Sequence, residues 1–138
     1  MKELLYKSIY REIFYHADKK IIEMNYLEGS SSTTDQIYKK EELIFCDCFD
    51  QKDIDFCYVN TVKFDYIIVP EIQNWVHENV NPVFIKTELK KLAILTSEQV
   101  FSRVSVMQMM NRFDKDEKGS FEIQHFISEK TAMEWLCE

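Results

Sequence analysis

Residues 64–71 are Phe-Asp-Tyr-Ile-Ile-Val-Pro-Glu, an apolar segment that stops at a proline and leads into a helix. Open α/β sheets bind their ligands where strands give way to helix N-termini, so this junction is a natural place for chemistry. It offers no Ser, Thr, His, Cys or Gly, and Pro70 has no N–H group for an anion. The junction therefore indicates an α/β architecture more clearly than a biochemical function.

The segment upstream of this junction begins with a predicted β-hairpin. Apolar and polar residues alternate over 9–16, a polar turn follows at 17–20, and 20–28 forms the second strand. The stretch Gly29–Thr34 is rich in Ser and Thr, and predicts a loop in which Thr33 or Thr34 caps the next helix. A hairpin followed by a capped helix is thus expected at the start of the fold.

The first helix is predicted over residues 35–49, with a two-sided pattern. One side carries Ile37, Glu41, Ile44, Phe45 and Cys48. Lys39, Lys40 and Glu42 are expected to point outward. The apolar run Phe56–Val59 then predicts a short strand that is covered on both faces.

Downstream of the junction the pattern alternates between helices and strands. Pro70 suits the first position of a helix, and Asn81-Pro82 predicts a kink in it. A strand at Leu92–Leu95 is predicted next, followed by a helix capped by Ser97 that restarts at an angle at Ser105. A loop from Asp114 to Gly119 leads to a strand at Phe121–Ile127. The last predicted helix is capped by Ser128 and directs Ala132, Trp135 and Leu136 inward. The order β-β-α-β-α-β-α-β-α predicts one α/β domain over residues 1–138, with a mixed sheet of about five strands.

Composition excludes several classes of function. The chain has 138 residues with 46% hydrophobic and 30% charged residues, typical of one globular domain. A net charge of −7 disfavours nucleic-acid binding, since phosphate contacts need clustered Lys and Arg. No apolar stretch reaches the roughly 18 residues of a membrane span, and the charged N-terminus is unlike a signal peptide. We therefore expect a cytoplasmic protein with reduced cysteines, no integral membrane segment and no nucleic-acid partner.

Motifs for metals, cofactors or catalysis are weak. Cys46 and Cys48 stand two apart on a helix and point in different directions, so small buried thiols are favoured over a metal site. The segment beginning at Asp114 resembles a calcium loop, but Lys118 and His125 occupy positions that need oxygen ligands. We expect no cofactor and no metal. His16, His77 and His125 lie in three different elements, without spacing that assigns them a role.

Aromatic residues make up 14% of the chain, which allows two interpretations. The first is a compact aromatic core. The second is an apolar ligand pocket between the sheet and helices, or an exposed patch used for pairing. Because methionine packs adaptably, the candidate pocket residues are Phe101, Met107, Met110 and Phe113.

Two stretches resemble a known family. Residues 73–82, Gln-Asn-Trp-Val-His-Glu-Asn-Val-Asn-Pro, followed by Leu89-Lys-Lys-Leu-Ala-Ile94, are similar to the second helix and next strand of uncharacterised bacterial SpoIIAA-like proteins of the STAS group, of the Bacteroidetes type. The segment from Phe126 to Leu136 is similar to that group's closing strand and Ala-x-x-Trp-Leu helix. The resemblance implies an α/β sandwich with helices mainly on one face. It also implies kinship with anti-sigma-factor antagonists, in which a serine at the start of the second helix is phosphorylated. Here Ile68-Val69-Pro70-Glu71 stands at that place, so the phosphorylation switch is not carried over.

Three functional hypotheses follow. The first is a non-enzymatic STAS-like regulatory or interaction module that binds a protein partner, or a second copy of itself, around the segment from Thr61 to Val69. The residues predicted to make this contact are Phe64, Tyr66, Ile67 and Trp75. The second is a small-molecule or lipid-binding protein with an apolar pocket. The third, an enzyme, is the weakest because no catalytic set is visible.

Overall fold

The computed structural model describes residues 2–97 and 121–138, which form an α/β fold on one six-stranded mixed sheet. The strands, in chain order, are β1 (Glu3–Lys7), β2 (Arg11–His16), β3 (Ile21–Tyr26), β4 (Phe56–Asn60), β5 (Lys91–Leu95) and β6 (Glu122–Phe126). Their spatial order in the sheet is the same as their order in the chain. β1, β2 and β3 pair antiparallel, whereas β3, β4, β5 and β6 pair parallel.

The prediction of about five strands is wrong, because β1 adds a sixth strand before the expected hairpin. The hairpin itself is confirmed as β2 and β3, with Arg11 opposite Tyr26 and His16 opposite Ile21. The sequence of β1 does not predict a strand, because three of its five residues are exposed and its pairing with β2 is irregular between Leu4 and Tyr6. A half-exposed edge strand with a bulge lacks the clean alternation on which a strand prediction depends.

The described helices are α1 (Asp35–Gln51), α2 (Pro70–Asn79), α3 (Asn81–Lys86) and α4 (Glu129–Leu136). Thr34 caps α1 as predicted, since its hydroxyl accepts a hydrogen bond from the Ile37 N–H group at 3.2 Å. α2 begins at Pro70 as predicted. At Asn81-Pro82, the predicted place of a kink in one helix, the structure has a boundary between two helices, α2 and α3. Ser128 lies at the N-cap of α4, but its side chain makes no capping hydrogen bond. The helices predicted from Ser97 and Ser105, and the loop from Asp114 to Gly119, lie outside the described residues.

The sheet buries a different set of side chains on each face. On the helix face, residues of β2, β3, β4 and β5 pack with α1, α2 and α3 into the main core, which includes Ile13, Met24, Phe45, Ile72 and Leu92. On the far face, Ala132 and Leu136 of α4 pack with Tyr58, Ala93 and Leu95. Right-handed crossovers that advance along a sheet in one direction place their helices on the same face, which explains the grouping of α1, α2 and α3.

The connections that leave β3 and β4 at their carboxyl ends are longer than those that enter β4 and β5 at their amino ends. At the amino edge, where β3, β4, β5 and β6 begin, backbone hydrogen bonds join the strands: Asp55 N–H to Lys20 O at 2.9 Å, Lys90 N–H to Asp55 O at 2.8 Å, and Glu122 N–H to Lys90 O at 3.1 Å. At the carboxyl edge, where these strands end, longer segments connect to the helices. Among the described residues, no helix combines the length and the hydrophobicity needed to cross a membrane.

Candidate functional site

A cavity of about 100 Å³ lies on the helix face of the sheet, next to the carboxyl edge. The sheet side of its wall comes from the inward residues of three strands, namely Met24, Tyr26, Val59, Leu92 and Ile94. The helix side comes from α1, α2 and α3 and the residue between the last two, namely Tyr38, Glu42, Phe45, Val76, Val80 and Phe84. Interiors normally pack as densely as organic crystals and leave few voids larger than a water molecule. A cavity of this size is therefore a candidate binding site.

The segment between β4 and α2, from Thr61 to Val69, forms a further part of the cavity wall, and we call it the 61–69 loop. Thr61, Phe64 and Ile68 line the cavity, and all three are buried. The intervening Ile67 points to solvent with 72% of its surface exposed, and Val62 and Val69 are exposed as well. One loop thus supplies both a wall of the cavity and an apolar outer surface.

Several hydrogen bonds hold the 61–69 loop in place. The Thr61 N–H and hydroxyl groups both donate to the Leu95 carbonyl oxygen at 2.8 Å. Ser30 donates through its hydroxyl to the Lys63 carbonyl oxygen at 2.9 Å and accepts from the Asp65 N–H group at 3.0 Å. The loop conformation is therefore fixed from β5 and from the short 3-10 helix that precedes α1 (Glu28–Ser32).

The aromatic residues Tyr66 and Phe64 extend this attachment. The Tyr66 hydroxyl donates a short hydrogen bond to the Asp35 carboxylate at the start of α1, and its ring stacks on Tyr38 with centroids 5.0 Å apart. Burial raises the pKa of Tyr66, and the bond to Asp35 raises it further, so the hydroxyl remains protonated and continues to donate. Phe64 packs against Tyr26, with 4.3 Å between the ring centroids.

A buried charge cluster of Arg11, Glu41 and Glu42 adjoins the cavity. Arg11 is 1% exposed on β2, and the two glutamates of α1 are 3% and 6% exposed. Arg11 Nη1 lies 2.9 Å from Glu42 Oε1, and Arg11 Nε lies 3.8 Å from Glu41 Oε1. Burial alone would lower the pKa of Arg11, but the Glu42 carboxylate outweighs it, and the pKa lies above its ordinary value. The prediction that Glu42 points outward is wrong, because its charge is neutralised inside the protein by Arg11.

Hydroxyl groups surround the two carboxylates of this cluster. Glu41 accepts from the Tyr6 hydroxyl at 2.5 Å and from the Ser8 hydroxyl at 2.7 Å. Tyr26 and Tyr38 lie on the other side, and their hydroxyls interact with each other and with Glu42. Burial raises the pKa of both Tyr26 and Tyr38, so both stay neutral. The guanidinium of Arg11 and four hydroxyl groups thus stabilise the two buried carboxylates.

The polar groups at and beside the cavity are bound to other protein groups. The Arg11 guanidinium also stacks near the Tyr26 ring, at 5.0 Å from the centroid. Glu42 and Thr61, which face the cavity, are each engaged with another protein group. The cavity therefore presents mostly apolar surface, with its polar side chains already paired.

The four residues predicted to contact a partner occupy different environments. Ile67 is exposed, Tyr66 and Trp75 are half-buried, and Phe64 is 4% exposed. Phe64 can therefore reach a partner only if the loop moves. Trp75 lies on α2, where the Lys39 ammonium group stands 5.7 Å from its ring centroid. The structure brings Phe64, Tyr66 and Ile67 together in one loop, with Ile67 at its surface.

The predicted pocket residues Phe101, Met107, Met110 and Phe113 lie outside the described residues. The cavity described above lies between the sheet and α1, α2 and α3. Arg11 was missed as a site residue, although a signal existed: it alternates with Ile13 and Tyr15 on the inward side of its strand. A charged residue in an inward position needs a buried partner of opposite charge.

The histidines do not form a common site. His16 and His125 lie on β2 and β6, which are four strand positions and therefore roughly 19 Å apart. His16 Nε2 donates to Glu23 Oε1 at 2.8 Å, and His77 Nδ1 lies 3.3 Å from the Asn81 side-chain nitrogen. Within residues 2–97 and 121–138, no three His, Cys, Asp or Glu side chains are arranged to hold a metal ion.

The cysteines are all free, and three of them are buried. Cys46, Cys48 and Cys57 are inside, as the small-thiol interpretation of Cys46 and Cys48 predicted, whereas Cys137 is exposed. Burial raises the pKa of Cys46 to about 12, so its thiol is unreactive at neutral pH.

Comparisons with protein-family models, with curated proteins and with solved structures give no match for this chain. The function is therefore argued from the site alone.

Proposed function

We propose that this chain is a non-enzymatic, STAS-like regulatory or interaction module that binds a protein partner through the carboxyl edge of its sheet. The observation that carries the proposal is Ile67, which is 72% exposed in the 61–69 loop, whose conformation is fixed by hydrogen bonds. A rigid loop presents an apolar side chain without the entropy cost of ordering it on binding. This supports recognition of an apolar surface on another protein or on a second copy of the chain.

Other exposed apolar side chains support the same edge. The large hydrophobic residues with high exposure, among those described, include Ile9, Val62, Ile67, Val69 and Ile127 at the carboxyl edge. Of the exposed large hydrophobic residues that the structure describes, only Leu4, Leu43 and Ile85 lie elsewhere. Ile9 belongs to this surface because its backbone packs against Gly29, next to Ser30, which binds Lys63 of the loop.

The start of α2 supports a module without a phosphorylation switch. Val69 is the N-cap and Pro70 the first residue of α2, and no side-chain hydroxyl caps this helix. The resemblance to anti-sigma-factor antagonists would require a serine here. We infer that partner binding in this protein is regulated in another way, in the cytoplasm, and that no catalytic turnover accompanies it. A broad hydrolase and transferase screen is expected to give no activity.

The decisive experiment uses site-specific photo-crosslinking in the protein's own host. A photoreactive amino acid at Ile67 is expected to give one specific adduct, whereas the same group at Ile85, which is also exposed but lies on α3, gives none. Burying an isoleucine side chain stabilises a complex by about 1.5–3 kcal/mol, and nearly three-quarters of Ile67 is available. Ile67→Ala is therefore expected to weaken a reconstituted complex about tenfold. Equal crosslinking at both positions would refute the assignment of this edge.

The cavity favours a second candidate function, a small-molecule-binding protein with an apolar pocket between sheet and helices. Its volume of about 100 Å³ suits a small molecule rather than a whole lipid, since drug-sized ligands occupy roughly 300–1,000 Å³. Native mass spectrometry of protein purified from its host separates the candidates. A retained lipid-sized mass would contradict a pure interaction module, and a clean apo dimer would count against a carrier.

A further inference from the structure

We propose that the cavity binds a wholly apolar molecule of about the size of one aromatic ring, and that the 61–69 loop is its gate. This inference rests on the second candidate function and specifies its ligand class. The volume of the cavity limits the size of its ligand. An engineered cavity of about 150 Å³ with apolar walls, in another protein, stays dry and binds benzene. At about 100 Å³, this cavity accepts a compact ring or a short branched alkyl group.

The polar side chains that line the cavity are already engaged with other protein groups. Water in a buried site needs two to four hydrogen-bonding partners. The Glu42 carboxylate is held by Arg11 at 2.9 Å, and the Thr61 hydroxyl donates to the Leu95 carbonyl oxygen at 2.8 Å. A ligand hydroxyl or ammonium group would lose its water shell and would have to compete with these existing contacts for a partner. The cavity therefore selects against polar substituents on a ring of the correct size.

Access to the cavity depends on the part of its wall that can move. Phe64 and Ile68 form the side of the cavity toward the carboxyl edge, and they belong to a loop without helix or strand. The other lining residues that the structure describes belong to strands and helices, except Val80 between α2 and α3. Displacing the 61–69 loop would therefore expose the cavity. The Tyr66–Asp35 hydrogen bond is one of the contacts that resist this displacement, beside the stacking of Tyr66 on Tyr38 and the hydrogen bonds of the loop described above.

The test measures binding of toluene, phenol and benzylamine to the purified full chain by ligand-observed NMR and by titration. Toluene is expected to bind, and phenol and benzylamine are expected to bind at least about tenfold more weakly, since each buries a polar group where the nearby polar side chains are already engaged. The proposal is overturned if toluene does not bind, or if phenol or benzylamine binds as tightly as toluene.

Variants locate the bound toluene. Val76→Phe places a ring in the cavity and is expected to abolish binding, whereas Ile85→Phe adds a ring on the exposed side of α3 and leaves binding unchanged. Because an added ring can prevent folding, Leu92→Ala provides an independent test. It enlarges the cavity and is expected to shift preference toward naphthalene over toluene. An unchanged preference in this variant would place the toluene elsewhere.

The gate is tested by kinetics. Tyr66→Phe removes the hydroxyl that bonds to Asp35 and leaves the cavity walls intact. Both the association and dissociation rates of toluene are expected to rise several-fold while the Kd changes little. Unchanged rates would refute the gate.

The outcomes distinguish this inference from the functions on which it rests. If toluene fails to bind but crosslinking at Ile67 persists, the ligand inference falls and the interaction module remains. If a larger ligand is retained in native mass spectrometry while toluene fails, the small-molecule function stands and the ring-sized class is wrong.

Discussion

Replacing Arg11 with methionine tests whether the buried charge cluster stabilises the fold. Arg11 is the cation that faces Glu41 and Glu42, and its side chain is only 2% exposed. Two opposite charges about 4 Å apart attract by about 4 kcal/mol at an effective dielectric constant near 20. Methionine retains the bulk of arginine's stem but leaves two carboxylates without their cation. Breaking a buried pair in this way costs about 3–5 kcal/mol, a large part of the stability of a typical domain.

The assay is equilibrium urea unfolding at pH 7, followed by far-UV circular dichroism and tryptophan fluorescence. Lys90→Met is the matched control, because its ion pair with Asp55 at 3.4 Å is largely exposed. The control is expected to change the free energy of unfolding by less than about 1 kcal/mol. Adding Glu42→Leu to Arg11→Met removes one of the stranded carboxylates and is expected to restore at least about half of the lost stability.

Two results would refute this reasoning. If Arg11→Met costs no more than Lys90→Met, the cluster is solvated rather than buried. If the double variant is no more stable than Arg11→Met alone, the loss came from packing of the arginine stem and not from uncompensated charge.

Three further predictions concern the close packing around Gly29, the stability of the protein at acidic pH and the reactivity of its thiols. Gly29→Ala places a Cβ atom 2.1 Å from the Ile9 carbonyl oxygen, so it is expected to lower the free energy of unfolding by about 1–3 kcal/mol in urea unfolding. Burial alone would raise the pKa of Glu23, but hydrogen bonds from Asn25 and His16 outweigh it and hold the pKa below its ordinary value of 4.5. The resulting stability is present above pH 4.5 and is lost as the pH falls through the lower folded-state pKa. Asn25→Ala is therefore expected to destabilise at pH 7 and to differ less from the parent in acid. Cys137 is the exposed cysteine, so a thiol reagent is expected to modify one thiol rapidly in the native protein and four in denaturant.

Each of these predictions has a control and a contradicting outcome. Ser31→Ala, in the same short 3-10 helix as Gly29, is exposed and is expected to change stability little, so an equal loss in both variants would exclude the steric explanation. A constant difference between Asn25→Ala and the parent from pH 7 to pH 3 would contradict the assignment of acid sensitivity to Glu23. Cys137→Ser should abolish the rapid thiol reaction, and its persistence would mean that a buried thiol is reactive.

Periodicity and turn chemistry predicted much of the fold. The hairpin, the Thr34 cap and the start of α2 at Pro70 follow from local rules, because each depends on residues close together in sequence. β1 could not be predicted in this way, because it is half-exposed and its identity depends on pairing with β2. Local rules thus sufficed where the structure is stabilised locally.

The site was less predictable than the fold. Hydrophobic periodicity predicts an outward position for Glu42, because a prediction of this kind assigns every charged side chain to the exposed face of a helix. Its burial depends on Arg11, which lies in another element and is a suitable partner only after the chain folds. The cavity is a property of three-dimensional packing among side chains that are each ordinary core residues, and no spacing in the sequence encodes a void.

The attachment of Thr61 to β5 allows the sequence and length of the 61–69 loop to change while the sheet stays the same. Both the N–H and hydroxyl groups of Thr61 bind the Leu95 carbonyl oxygen, and Pro70 fixes the first turn of α2. The two ends of the intervening loop are therefore positioned independently of the residues at its tip. Doubling the length of such a loop costs only about 0.6 kcal/mol in closure entropy. If Phe64 and Ile68 are kept in the core, new recognition sequences can be grafted at Ile67 without rebuilding the sheet.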